Sequence, residues 1–269
     1  MPERHITDTP GPAATLERLG DIAVVTLNRP HALNAVDAAL SEALGTALET
    51  IRHDPVVRVG VITGAGRAFC AGADLKELAT GRSIDAAGHP EWGFAGMVRH
   101  FVDKPLIAAV NGFALGGGTE IVLACDLAVI DETAALGLPE VKRGLFAAAG
   151  GVIRLPRQIP LKVALEAVLT GEPINARRAE SLGLVNRVAP AGRVLESALE
   201  LARIVAANAP LAVRAAKRLV HHGAATGSDW EPAVWERNDA EMDTVFGSED
   251  AAEGGRAFVE KRAASWRDR

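Results

Sequence analysis

Cysteine is nearly missing from this 269-residue chain: Cys70 and Cys125 are the only two. They form no Cys-x-x-Cys pair and no metal-ligand spacing. A disulfide framework is excluded, and two reduced thiols acting as small core residues are expected. A basic excess is lacking as well. Lys and Arg number 29 against 34 Asp and Glu, a formal net charge of -5. That argues against a general nucleic-acid binder and against a polybasic membrane anchor. No apolar run reaches ~18 residues without a charge or a glycine, so no transmembrane helix is expected. The first twelve residues are polar and lack an apolar h-region, so no signal peptide is expected, and a cytoplasmic protein is the default.

What is present is an ordinary globular balance, 48% hydrophobic and 23% charged. It suffices for a sizeable core and excludes disorder. The length suits one medium domain, or one domain with a smaller appendage. Tyrosine is absent while glycine reaches 27 residues, so the glycines mark where backbone geometry matters.

Residues 1–15 read as a loose lead-in. Ile22 to Asn28 is β-rich and is stopped by Arg29-Pro30. Asp37 can cap a helix over 37–53, with Leu40, Leu44, Ala47, Leu48 and Ile51 on one face. Further strands are predicted at Val57–Thr63, Pro105–Val110, Leu127–Ile130 and Ala134–Leu138. Residues 80–92 read as a mobile surface stretch, followed by a helix over 93–103. Thr119 to Ala124 reads as a short helix. Strand, turn and helix alternate to about residue 190, an α/β pattern. Beyond that point only helical patterns remain, over 195–205, from Pro210 to Val220, and from Trp230 to Arg269.

Several kinds of chemistry are excluded quickly. There is no Walker A sequence and no Gly-x-Ser-x-Gly elbow. The seven histidines show no metal-binding pattern, and His221-His222 reads as a solvated pair on an outer helix. What stands out is Gly116-Gly117-Gly118 between a strand and a helix. Such a triplet can be a tight turn, or it can let a ligand reach free N–H groups. Glu120 follows in the first helical turn, among apolar neighbours. Glu140 stands at the end of another apolar run. Two carboxylates in one apolar site have their pKa values pushed apart, giving one proton donor and one acceptor. Beside backbone donors, that pair suits reactions through an oxyanion or enolate. The glycine-rich segment from Gly64 to Lys76 is an ordinary turn or the other half of an oxyanion hole.

Six segments, in this order, resemble the crotonase, or enoyl-CoA hydratase, superfamily. They are Asn28 to Asn34, Ala68 to Lys76, Asn111 to Glu120, Ala124 to Ala128, Gly137 to Glu140 and Ser181 to Val185; the ending Ala257 to Arg262 also fits. The resemblance implies an α/β, crotonase-like spiral of ββα turns (residues 1–195) that holds the acyl-CoA and catalytic site. It also implies a C-terminal all-helical trimerisation domain (196–269), giving a homotrimer or a hexamer of two trimers. It implies an acyl-CoA thioester substrate and no metal or redox cofactor. Matched residue by residue, it places the oxyanion-hole amides on Ala73 and Gly117 and the catalytic carboxylates on Glu120 and Glu140. Substrate and CoA contacts fall on Ala32, Leu33, Ala73, Asp74, Leu75, Lys76 and Gly117. Phe258 and Lys261 fall on positions that often reach CoA from a neighbouring subunit.

Retention of both glutamates is the mark of hydratases in this family. The implied activity is reversible addition of water to a 2,3-trans-enoyl-CoA, giving a 3-hydroxyacyl-CoA. The alternatives are a carnitinyl-CoA dehydratase-like enzyme, whose branch Gly151 to Pro156 resembles, another crotonase-fold lyase or isomerase, or a non-catalytic acyl-CoA-binding member.

Overall fold

A computed structural model describes residues 11–223 and 232–269. Among them are ten strands: β1 (Ala14–Leu19), β2 (Ile22–Leu27), β3 (Val59–Gly64), β4 (Ala68–Cys70), β5 (Leu106–Val110), β6 (Phe113–Leu115), β7 (Leu127–Asp131), β8 (Ala135–Gly137), β9 (Ile174–Asn175) and β10 (Arg187–Ala189). The α-helices are α1 (Ala38–His53), α2 (Leu75–Ala79), α3 (Gly117–Ala124), α4 (Gly151–Gln158), α5 (Leu161–Thr170), α6 (Ala176–Ser181), α7 (Val194–Ala206), α8 (Pro210–Gly223), α9 (Pro232–Phe246) and α10 (Glu249–Glu260).

The strands form two sheets, one in the order β1-β2-β3-β5-β7-β10 and one in the order β4-β6-β8-β9. The chain passes from a long strand of the first sheet to a short strand of the second, then into a helix. It does so in β3-β4-α2 and in β5-β6-α3, and again in β7-β8, where a 3-10 turn at Pro139–Arg143 precedes α4. Pairings within β2-β3-β5-β7-β10 and within β4-β6-β8 are parallel, so the successive turns stack in a spiral of ββα units.

β3 and β5 lack alternation because both faces of the large sheet are covered. On one face Ile62 and Ala108 join the buried cluster that includes Leu44 and Leu48 of α1. On the other, Val59, Val61, Ile107 and Val129 meet Ala198 and Ala202 of α7. Asp37 caps α1, its carboxylate accepting from Leu40 N at 2.8 Å. The division expected after residue 195 falls within α7, a helix packed on this sheet.

Four expectations are corrected. The end of the lead-in is already β1, which begins at Ala14, an edge strand whose residues after Ala14 are exposed; it pairs with β2 through a turn at Gly20. Residues 93–103 are not a helix. They follow 3-10 turns at Pro90–Trp92 and Phe94–Gly96, with Gly93, Ala95 and Gly96 at positive φ. Gly96 is required there because a Cβ would strike the Ser41 carbonyl of α1. The stretch before it is anchored: Trp92 is 9% exposed and lies where a Cβ on Gly45 would stand. Finally, the C-terminal helix ends at Glu260. Lys261 turns left-handed at φ 54°, and the tail folds back, with Arg267 N and Asp268 N donating to Asp250. The pattern from Trp230 begins outside the described residues.

α8 is fastened to the spiral by charge. Lys217 Nζ donates to Asp126 Oδ2 at 2.6 Å, and His221 Nε2 lies 2.9 Å from Asp126 Oδ1. His221 is thus held by a carboxylate, and His222 meets Arg237. Cys70 and Cys125 are buried and unpaired, and burial pushes the Cys70 thiol up to about 12. Among the described residues no helix is long and apolar enough to cross a membrane.

Candidate active site

The glycine triplet lies where β6 turns into α3, and each of its glycines has a packing reason. Gly116 takes φ 56°, and a Cβ on it would lie 3.1 Å from Glu140 Oε1. A Cβ on Gly117 would collide with the ring of Phe94, and one on Gly118 with the Cys70 carbonyl. Thr119 pins the turn: Oγ1 donates to Ala114 O at 2.7 Å and accepts from Gly137 N at 2.9 Å.

Close packing brings the other glycine-rich segment to the same place. Gly72, at φ 94°, lies so close to α3 that a Cβ would be 3.2 Å from Gly117 N. A parallel bridge joins Val36 to Ala73 through Gly72 O and Asp74 N, which leaves the Ala73 amide pointing away from Val36. Gly117 is the first residue of its helix, so its N–H has no intrahelical acceptor. Among the described residues neither amide has a protein acceptor. The start of α3 adds the positive end of its dipole.

Glu120 is 3% exposed, and its Oε1 accepts from Gly151 N, the first residue of α4, at 2.8 Å. Burial raises its carboxyl to about 7; the Gly151 and Ala149 amides and Arg154 pull it down, while Glu140 adds to the rise. The two carboxyls therefore share one electrostatic site. Glu140 is half-buried on the 3-10 turn, and burial raises it as well. Its Oε2 is buried with no hydrogen-bond partner. An ionised oxygen is costlier in that state than a protonated one. Two carboxyls raised above the usual range in one site are an arrangement able to take one proton and deliver another.

The remaining candidate residues divide into two groups. Leu33 O accepts from Ala71 N at 3.0 Å, which places the Ala32-Leu33 turn beside Ala73 and the start of α2. Leu75 and Lys76 are exposed there. The Asp74 carboxylate is occupied within the protein: it caps α2, accepting from Lys76 N, and pairs with Arg29 at 3.2 Å. Phe258 is 85% exposed, and Lys261 follows it at the end of α10, a helix that packs on α9. The chain does not bring that pair to Glu120 through any contact of the described residues.

Sequence reasoning missed three neighbours. Gly151 holds Glu120, Phe94 covers Gly117, and Arg154 acts on Glu120 from α4. The Gly150-Gly151 doublet at a helix start is the one signal that could have pointed to the first. Among the described residues no group of three or more His, Cys, Asp or Glu side chains could hold a metal.

Residues 17–269 match the family model described as enoyl-CoA hydratase/isomerase. A carnitinyl-CoA dehydratase of Salmonella typhi is 44% identical over 258 residues, covering 94% of this chain and 98% of that one. The crystal structure of an enoyl-CoA hydratase from Mycobacterium tuberculosis H37Rv superposes with a TM-score of 0.90 at 42% identity, over 96% of this chain and 100% of the other. A carnitinyl-CoA dehydratase structure from Mycobacterium avium 104 is 54% identical with a TM-score of 0.77, at the same coverage.

Proposed function

The chain belongs to the enoyl-CoA hydratase/isomerase family, and from that premise we propose that it is a hydro-lyase adding water reversibly across the 2,3 double bond of a trans-enoyl-CoA. The observation that carries this reading is the electrostatic pairing of Glu120 with Glu140 beside the Ala73 and Gly117 amides.

In this mechanism the two amides donate to the thioester oxygen and stabilise the enolate-like charge that develops there. Glu120 takes a proton from water as its oxygen bonds to C3. Glu140 gives its proton to C2, and the double bond becomes single. The electron pair displaced by attack rests on the thioester, so no other electron sink is required. Ala32, Leu33, Asp74, Leu75 and Lys76 border the CoA moiety in this assignment. Phe258 and Lys261 would reach it from a neighbouring subunit of a trimer or a hexamer. Exposed Phe246 (74%) supplies apolar surface for such an assembly, while Leu211, Val213 and Leu219 are half-buried in their own chain. The Val234 side chain lies outside the described residues.

A second reading concerns the acyl group. Identities of 44% and 54% to carnitinyl-CoA dehydratases favour a carnitine-derived thioester as substrate for the same chemistry. Loss of enoyl-thioester absorbance tests both readings. Hydration of crotonyl-CoA supports the first, and a higher kcat/KM for the trimethylammonium-bearing thioester selects the second. No turnover of either sinks both. Sedimentation at micromolar concentration tests the assembly, and a monomer would exclude it.

A further inference from the structure

One turn beyond Gly151, α4 carries Arg154. Its guanidinium folds back over the start of its own helix. Nη1 lies where a Cβ on Gly150 would stand, and Nη2 donates to Val98 O at 2.5 Å. A cation there sits at the wrong end of the helix dipole, whose positive pole repels it. Glu120 Oε1 accepts from Gly151 N at this same helix start, so a carboxyl stands beside the cation. The groups acting on Arg154 are Glu120, which favours its charge, and Arg157, which opposes it along with burial. The Cys125 thiol is also near, but burial raises it far above neutrality, so it brings no charge. Arg99, His100, Asp126, Lys217 and His221 share the adjoining cleft. Asp126 is the acid among them, and it is taken by Lys217 and His221.

Glu120 is faced in turn by Glu140 from the 3-10 turn, by the Ala149 and Gly151 amides, and by Arg154. Among the described residues no cation acts on Glu140, and its buried Oε2 is unpartnered. We propose that Arg154 is a positioning residue for the hydration: from the start of α4, where Gly151 N holds Glu120 Oε1, its guanidinium favours the negative charge on Glu120. The proposal rests on the function assigned above. The same side chain, through Val98 O, ties α4 to the segment that carries Phe94 over Gly117.

Two variants separate charge from bracing. Arg154→Gln keeps a donor for Val98 O and removes the cation; Arg154→Lys keeps the cation. The readouts are the pH profile of kcat/KM for crotonyl-CoA and an infrared titration of the Glu120 carboxyl, identified by its loss in Glu120→Gln. In Arg154→Gln both midpoints should rise by about one pH unit, lowering kcat/KM at pH 6 roughly tenfold, while Arg154→Lys should stay near wild type. An unmoved midpoint in Arg154→Gln overturns the proposal, as does an equal shift in both variants. If Arg154→Gln does not fold, Arg154→Met, which also removes the cation, is read the same way: a raised midpoint supports the proposal, and an unmoved one overturns it. A wild-type protein that hydrates nothing, with an infrared midpoint that still moves in Arg154→Gln, sinks the function while the charge pairing stands.

Discussion

Gly151 N–H donates to Glu120 Oε1 at 2.8 Å, joining residues 31 apart in the chain. The bond fixes one carboxylate oxygen and leaves the other for chemistry. A Cβ on Gly151 would lie 3.1 Å from the same oxygen and 2.6 Å from the Ala147 side chain. Gly151→Ala should therefore push Glu120 aside. A lost or misdirected hydrogen bond to a charged group is worth about 1.5–3 kcal/mol, so hydration should fall by roughly 10–100-fold with the fold retained. Steady-state kinetics beside circular dichroism checks both halves.

Glu120→Gln and Glu140→Gln should each lower kcat by about 10²–10⁴, the scale of a lost general acid or base. Acyl-CoA binding, measured by calorimetry with a non-reacting saturated thioester, should survive. Wild-type rates in both variants would remove the pair from the mechanism.

Glu120 also has a stability signature. Its folded pKa, about 7, lies above its ordinary value of 4.5. The native state then binds the proton more tightly than the unfolded chain, and stability from this group declines as pH rises from 4.5 to 7. Glu120→Gln removes the ionisation and can still accept from Gly151 N. Its melting temperature should exceed wild type at pH 8, with the gain disappearing toward pH 4.5. An equal difference at both pH values would contradict the raised pKa.

Gly117→Pro deletes the proposed oxyanion donor at a helical position that tolerates proline best. Loss of one such donor costs ~10²–10³ in rate. Gly117→Ala keeps the N–H, but its Cβ must displace Phe94. A smaller loss is expected for Ala, and Phe94→Ala in the same chain should recover part of it. Full activity in a folded Gly117→Pro protein would exclude Gly117.

The Asp126–Lys217 pair predicts how α8 is held. Both side chains are largely buried, 15% and 9% exposed. Removing one partner of a buried pair costs about 3–5 kcal/mol. Lys217→Met should leave Asp126 with only His221 and its Leu106 amide, lowering the melting temperature by several degrees. An unchanged melting temperature would mean that apolar contacts alone dock the helix.

The α/β pattern, the long strands and the α1 cap are legible in the residues alone, because these depend on local periodicity and on side chains a few residues apart. Asp37 reaches Leu40 N within one turn, and β3 and β5 show no alternation of polar and apolar residues because both faces are covered. The residues alone also mark Glu120 and Glu140, since a carboxylate within an apolar run is visible without coordinates. Tertiary structure decided what those marks could mean. β4, β6 and β9 have two or three residues each, too short for any periodicity, and they exist because neighbouring turns of the spiral pair with them. The approach of Gly72 to Gly117 N, the Gly151 amide on Glu120 and the Arg154 bond to Val98 O all join residues far apart in the chain. A carboxyl's ionisation depends on what surrounds it in space. Burial and the neighbouring Glu140 raise Glu120, and the Gly151 and Ala149 amides and Arg154 draw it back toward neutrality.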